Sequence, residues 1–123
     1  MIFGVDFDGT CVYDEFPKNG KDNELAVQVL KELVSKGHDI ILYTVRSGIY
    51  LHSAVDWFNQ NTIPLYGINK NPAQSTWSTS HKPFCHYYID DRNFGAPVFL
   101  DKNNHKTVDW KSIRELLVKE HIL

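Results

Sequence analysis

The chain opens on Ile2-Phe3-Gly4-Val5, an apolar run that stops abruptly at the carboxylates Asp6 and Asp8. A short run without a polar side chain, followed at once by acid, reads as a strand buried on both faces of a parallel sheet, its C-terminal end opening into a site. A parallel partner requires a crossover, and the next residues supply one. Leu25, Val29, Leu30, Leu33 and Val34 recur at helical spacing, with Asp22 or Asn23 as N-cap, Glu24 in the first turn and Gly37 at the stop. Asp39 to Thr44 (DIILYT) follows as a second buried strand, and it too ends in polar residues, Thr44, Arg46 and Ser47. Strand, helix, strand is the parallel crossover unit.

The rest of the chain continues the alternation. Leu51, Ala54, Val55 and Phe58 mark a second helix, stopped near Asn61 and Pro64, and Leu65 to Ile68 is a weaker third strand. Cys85 to Ile89 (CHYYI) is a fourth strand ending at Asp90-Asp91, and Val98 to Leu100 is a short fifth. Asp109 caps a final helix whose apolar positions Ile113, Leu116 and Leu117 face the sheet. Between these elements, Cys11 to Lys21, with Pro17 and Gly20, reads as a loop, and Asn69 to Ser80 as a long polar loop with one irregular turn. The expected fold is α/β: a Rossmann-like, doubly wound, mostly parallel sheet in three layers, α/β/α, formed by one domain over residues 1–123. Ligands of such sheets bind beyond the carboxyl ends of the strands.

Composition narrows the class. Thirteen Lys and Arg against 15 Asp and Glu leave a net charge of -2, so no basic excess points to nucleic acid or an anionic membrane. No apolar run approaches a membrane span and no leader pattern precedes the first strand, which makes a cytoplasmic protein the expectation. The two cysteines, Cys11 and Cys85, are expected as reduced buried thiols. Six histidines show no ligand-type spacing, so packing or surface roles are expected for them.

Three strands deliver polar or acidic residues to one edge: Asp6 and Asp8, then Thr44, then Asp90 and Asp91. Four carboxylates on one rim repel unless a cation sits among them, and oxygen ligands without a Cys or His cluster favour Mg²⁺. Such a site suits phosphoryl transfer.

The motifs VDFDGT, the Thr of ILYT, Lys82 and IDDRN, in that order, resemble the haloacid dehalogenase superfamily, over residues 1 to about 100. The resemblance implies a phosphatase in which Asp6 attacks phosphorus to give an aspartyl phosphate and Asp8 serves as general acid and base. It further implies that Mg²⁺ is held by the Asp6 carboxylate, the Asp8 backbone carbonyl and Asp90, with Asp91 a direct ligand or an orienter of bound water. Thr44, by hydroxyl and backbone amide, and Lys82 would bind phosphoryl oxygens, Gly9 would permit the tight reversal after the nucleophile and Thr10 would tie that turn down. Neither interval where this superfamily carries a cap, Thr10 to Asp22 or Ile68 to Lys82, holds a domain. A cap-less member with an open site is implied, one that admits a large substrate or borrows a lid from a second subunit, hence a homo-oligomer.

Each residue also has a plainer reading. Asp6 and Asp8 could be turn caps, Thr44 an ordinary strand end, and Lys82 a solvated lysine with Lys70 as competitor. Arg46 either grips substrate phosphate or pairs with a carboxylate. Trp77, solitary in the polar loop, either stacks on a base or sugar or anchors the loop in the core. The expected substrate is a small sugar or nucleotide phosphate. A polynucleotide 3'-phosphatase is the alternative and needs a basic rim, for which Lys18, Lys21, Lys70 and Lys82 are the candidates. A receiver-like phosphoacceptor is disfavoured because no Asp ends the third strand, and a catalytically silent binding domain because both Asp6 and Asp8 are present.

Overall fold

The computed structural model describes residues 1–123. In chain order the elements are β1 (Ile2–Val5), β2 (Val12–Glu15), β3 (Lys18–Asp22), α1 (Ala26–Ser35), β4 (Asp39–Leu42), α2 (Gly48–Gln60), β5 (Gly67–Ile68), a 3-10 turn (Gln74–Thr76), β6 (Tyr87–Ile89), β7 (Val98–Leu100), β8 (Lys106–Val108) and α3 (Trp110–Lys119). Four strands form one sheet in the order β5-β4-β1-β6, and all three pairings in it are parallel. The chain therefore winds from β1 outward through β4 to β5, then returns across the sheet to β6 on the far side of β1. The winding direction reverses between β1 and β6, where a crevice opens at the strand ends.

Register fixes which residues share a face. Phe3 pairs with Ile40 and Tyr87, and Val5 with Leu42 and Ile89, while Gly4 pairs with Ile41 and Tyr88 and so lies on the opposite side. Phe3, Val5, Ile40, Leu42 and Ile89 belong to one apolar cluster with Val29, Leu30 and Leu33 of α1, Ala54, Trp57 and Phe58 of α2, and Trp110 and Leu117 of α3. All three helices thus feed the core on one face. Ile41 and Cys85 are buried outside that cluster. On their face a Cβ at Gly4 would meet Cys85 Sγ at 2.9 Å, and the Tyr88 hydroxyl donates to Pro83 O (2.6 Å) and accepts from Cys85 N (3.2 Å). The expected helical third layer is replaced there by irregular chain. A right-handed return from β5 to β6 must cross this face, and its residues carry no helical apolar period.

Other expectations are corrected. Cys11 to Lys21 is not a plain loop, because most of it forms the antiparallel hairpin β2–β3, with Asp14 opposite Asn19 and Glu15 opposite Lys18. Those side chains are mostly polar, so no apolar alternation announces the strands. Helix α1 has neither Asp22 nor Asn23 as a side-chain cap, since it begins after Leu25, whose φ is 68°. The Asn23 amide is used elsewhere, donating from within the core to Thr10 O (2.9 Å) and Val108 O (2.7 Å). β7 does not extend the main sheet but pairs antiparallel with β8. Asp109 caps α3 as expected, accepting from Lys111 N and Ser112 N, whereas Leu116 is exposed and Trp110 and Leu117 carry the buried face. Both cysteines are free and buried.

Candidate functional site

Asp6 leaves the end of β1 with its N–H donated to Ile89 O (3.0 Å), which ties the first acidic turn to the strand that delivers Asp90 and Asp91. The chain then reverses tightly, with Phe7 O accepting from Thr10 N (3.1 Å), Cys11 N (2.9 Å) and Val12 N (3.3 Å). Gly9 is required in that reversal, because its φ is +78° and a Cβ there would lie 2.8 Å from Asp91 Oδ2. The fully buried Thr10 hydroxyl lies between the two acidic turns, 3.1 Å from Asp6 Oδ2 and 3.4 Å from Asp91 Oδ1, and it accepts from Asp91 N at 3.3 Å.

The consequence is a trio, Asp6, Asp90 and Asp91, with one ligand oxygen from each lying within 4.8 Å of the others. Burial, then the hydrogen bond with Asp91, then the charges of Asp90 and Asp91 push Asp6 up to about 9. Asp91 is also raised, chiefly by burial. Beneath them burial, assisted by the charge of Asp6, drives the Cys11 thiol up. Like charges this close in a partly dry site cannot all ionise alone, and a hard divalent cation lets them do so. The donor set, three carboxylates and no Cys or His, fits Mg²⁺ better than Zn²⁺.

Asp8 takes a different position. Its carboxylate is held bidentately by Arg46, Nε to Oδ2 and Nη2 to Oδ1, both at 2.8 Å. Arg46 also donates from Nη1 to Asn19 Oδ1 and Tyr50 O (3.0 Å each) and from Nη2 to Lys18 O (2.9 Å). All of its N–H donors are therefore used. Its side chain has no exposed surface, and its guanidinium carbon lies 4.9 Å from the Phe7 ring centroid and 5.4 Å from that of Phe16. Of the two readings of Arg46, pairing with a carboxylate is the one found, and no donor is left for a phosphate. Asp8 still borders one open cavity of about 530 Å³ with Asp6, Asp90 and Asp91.

Thr44 does not line the cavity that the acids share, and its amide is taken. Its N–H is occupied by Asn69 Oδ1 at 2.8 Å, while its hydroxyl accepts from Arg46 N at 3.1 Å and keeps its own proton to donate. Lys82 shares a second cavity, about 360 Å³, with Asp6 and Asp90, and its ammonium lies 5.2 Å from the Tyr88 ring centroid. Lys70 borders neither cavity and lines a polar hollow under the 69–83 segment instead. Of the four lysines proposed for a basic rim, Lys82 is the one bordering a cavity with Asp6.

Trp77 is not brought to the site. It borders neither cavity of Asp6, is 65% exposed, and packs edge-on against Phe84 at 6.0 Å. The loop is anchored instead by two buried amides. Gln74 donates to Lys82 O and accepts from Phe84 N, and Asn71 donates to Phe84 O and accepts from Ala73 N. Sequence reasoning missed these anchors, as it missed Asn19 and Asn69. An isolated Asn in a polar stretch carries no signal of a distant partner.

No protein-family model matches the chain, and no curated protein matches it. Among solved structures it is similar to a conserved protein coded by a locus of Bacteroides thetaiotaomicron, at 34% identity and a TM-score of 0.80, covering 98% of this chain and 91% of that one. The chain belongs to that protein's family. The likeness extends over nearly the whole of both chains and is not confined to the sheet. No helix of this family member is long and apolar enough to cross a membrane.

Two outcomes follow from the geometry. Asp6 binds its proton more tightly folded than unfolded, so without a cation the stabilisation it gives is full below pH 3.8 and is lost as pH rises toward about 9. Thermal unfolding in EDTA should show Tm falling through that window, and Mg²⁺ or Asp6→Asn should flatten the slope; an unchanged slope would contradict the charge assignment. Arg46→Met should cost about 3 kcal/mol in urea unfolding, because it strands Asp8 beside apolar surface, and adding Asp8→Asn should recover part of the loss.

Proposed function

We propose that this chain is a Mg²⁺-dependent phosphomonoester hydrolase of the haloacid dehalogenase type, acting on a small sugar or nucleotide phosphate. The observation that carries the reading is the meeting of Asp6, Asp90 and Asp91 at the crevice between β1 and β6, with Lys82 sharing a cavity with Asp6 and Asp90.

Asp6 is the nucleophile: a carboxylate oxygen attacks phosphorus in line, the ester oxygen leaves, and water later cleaves the aspartyl phosphate. Held by the Asp6 and Asp90 carboxylates and the Asp8 backbone carbonyl, with Asp91 as a further ligand or an orienter of its water, Mg²⁺ would keep Asp6 ionised and neutralise phosphoryl charge. Lys82 adds a positive charge on the Asp6 and Asp90 side of the site, and the Thr44 hydroxyl has a proton to offer a phosphoryl oxygen. Thr10 and Gly9 hold the acidic turn in place against Asp91. Asp8 is the acid and base. Arg46 orients it, and when one carboxylate oxygen turns toward the leaving group Asp8 gives up one of its two bonds to Arg46.

Asp6→Asn should remove phosphate-ester hydrolysis while leaving the circular-dichroism spectrum unchanged, and EDTA should do the same reversibly. Asp8→Asn should slow alkyl phosphates about 100-fold while aryl phosphates, whose phenolate leaves without a proton, lose far less. Hydrolysis undiminished in EDTA would overturn the metal role. A Mg²⁺-loaded wild type inactive on every phosphomonoester would favour a silent binding domain.

A further inference from the structure

The mouth of the carboxylate cavity is apolar on one side. Phe16, at the turn of the β2–β3 hairpin, and Val45, directly after Thr44, border the same 530 Å³ cavity as Asp6, Asp8, Asp90 and Asp91. Both are strongly exposed, Phe16 at 53% and Val45 at 97%. Phe16 covers the Arg46 guanidinium with part of its ring, but the rest of that ring and almost all of Val45 face water beside four acids, and such apolar surface marks a place where something else binds.

The ring of Phe16 packs on two neighbours. The Arg46 guanidinium lies 5.4 Å from its centroid, and the ring of Tyr50 meets it at 5.6 Å and 66°. The hairpin beneath is itself fixed, since Arg46 takes Lys18 O and Asn19 Oδ1, and the Asn19 amide donates to Ser53 O in α2 (3.0 Å). Phe16 is therefore a pre-set wall, which contacts a ligand without a further ordering cost.

We propose that Phe16 and Val45 form a subsite that stacks on a planar ring carried by the group esterified to the phosphate, so that the substrate is a nucleoside monophosphate rather than an open-chain polyol phosphate. This rests on the phosphohydrolase reading and narrows it. Asp6 borders two cavities, but Asp8, the proposed proton donor to the leaving group, borders only the one that Phe16 and Val45 wall, so a phosphoryl group on Asp6 directs its ester group there. Hydroxyls pressed on that wall would lose water without a partner, whereas a base offers a π face. Asp14 and Arg92 border the same cavity and offer polar groups to the pentose between base and phosphate. The volume suits a ligand of nucleotide size.

The test compares kcat/KM for adenosine 5'-monophosphate and glycerol phosphate in the wild type, Phe16→Ala and Phe16→Trp, alongside titration of adenosine alone followed by NMR. Phe16→Ala should lower the ratio of the two kcat/KM values roughly tenfold, mostly through KM, and Phe16→Trp should restore it. Adenosine should shift the Phe16 ring resonances and bind more weakly to Phe16→Ala. Equal losses on both substrates would mean that Phe16 only supports Arg46, and an unchanged ratio with a dimer that Phe16→Ala dissolves would mean that the patch joins two copies. Either result overturns the subsite. If the wild type hydrolyses neither these esters nor any other phosphomonoester, the phosphohydrolase reading falls by itself, and the adenosine titration still decides whether Phe16 holds a ring.

Discussion

Mutual repulsion among Asp6, Asp90 and Asp91 is the constraint around which the structure is arranged. A fold that gains its stability from burial has no use for three acids with ligand oxygens within 4.8 Å of one another, and Asp6 is pushed up to about 9 first by its burial and then by its neighbours Asp91 and Asp90. What forces the acids together is local and specific: parallel pairing of β1 with β6 brings the two acidic turns side by side, Gly9 has no Cβ to hold Asp91 away, and the Thr10 hydroxyl lies between the turns. A cation converts the conflict into a binding site, and a site that holds a cation beside a carboxylate nucleophile is suited to phosphoryl transfer.

Arg46 is the second organising group. Its guanidinium joins three elements that sequence separates: the Asp8 turn, the β2–β3 hairpin through Lys18 and Asn19, and the first turn of α2 through Tyr50 O. Two aromatic rings, Phe7 below and Phe16 above, exclude water from it. The same residue that orients Asp8 therefore sets the position of the hairpin and of the ring at its tip, so that the chemistry proposed for Asp8 and the ring contact proposed for Phe16 share one support.

The sheet and the acidic edge were legible because they rest on short-range pattern. Apolar runs that end in Asp6, Thr44 and Asp90 place those residues at one rim under any parallel arrangement, and the crossover through α1 follows from helical spacing. What was not legible depends on partners far away in sequence. The hairpin is made of mostly polar residues and is held through Arg46; Asn23 spans Thr10 and Val108 instead of capping α1; the 69–83 segment is pinned by Asn71 and Gln74, which leaves Trp77 outside. The helical third layer was expected from the alternation of elements, but alternation does not say which face each helix takes. A lone arginine after a strand looks the same in the sequence whether a phosphate or a carboxylate awaits it, and so Arg46 has two readings there.

The most direct measurement is calorimetric titration of Mg²⁺ into the metal-free protein near neutral pH, repeated in buffers of different ionisation enthalpy so that proton release is counted. An ion that displaces the proton held by Asp6 should release up to about one proton per site in the wild type, with little or none from Asp6→Asn and with binding much weakened in Asp90→Asn. Absence of binding, or binding with the same affinity and the same proton count in all three proteins, would contradict the claim that these carboxylates form a cation site.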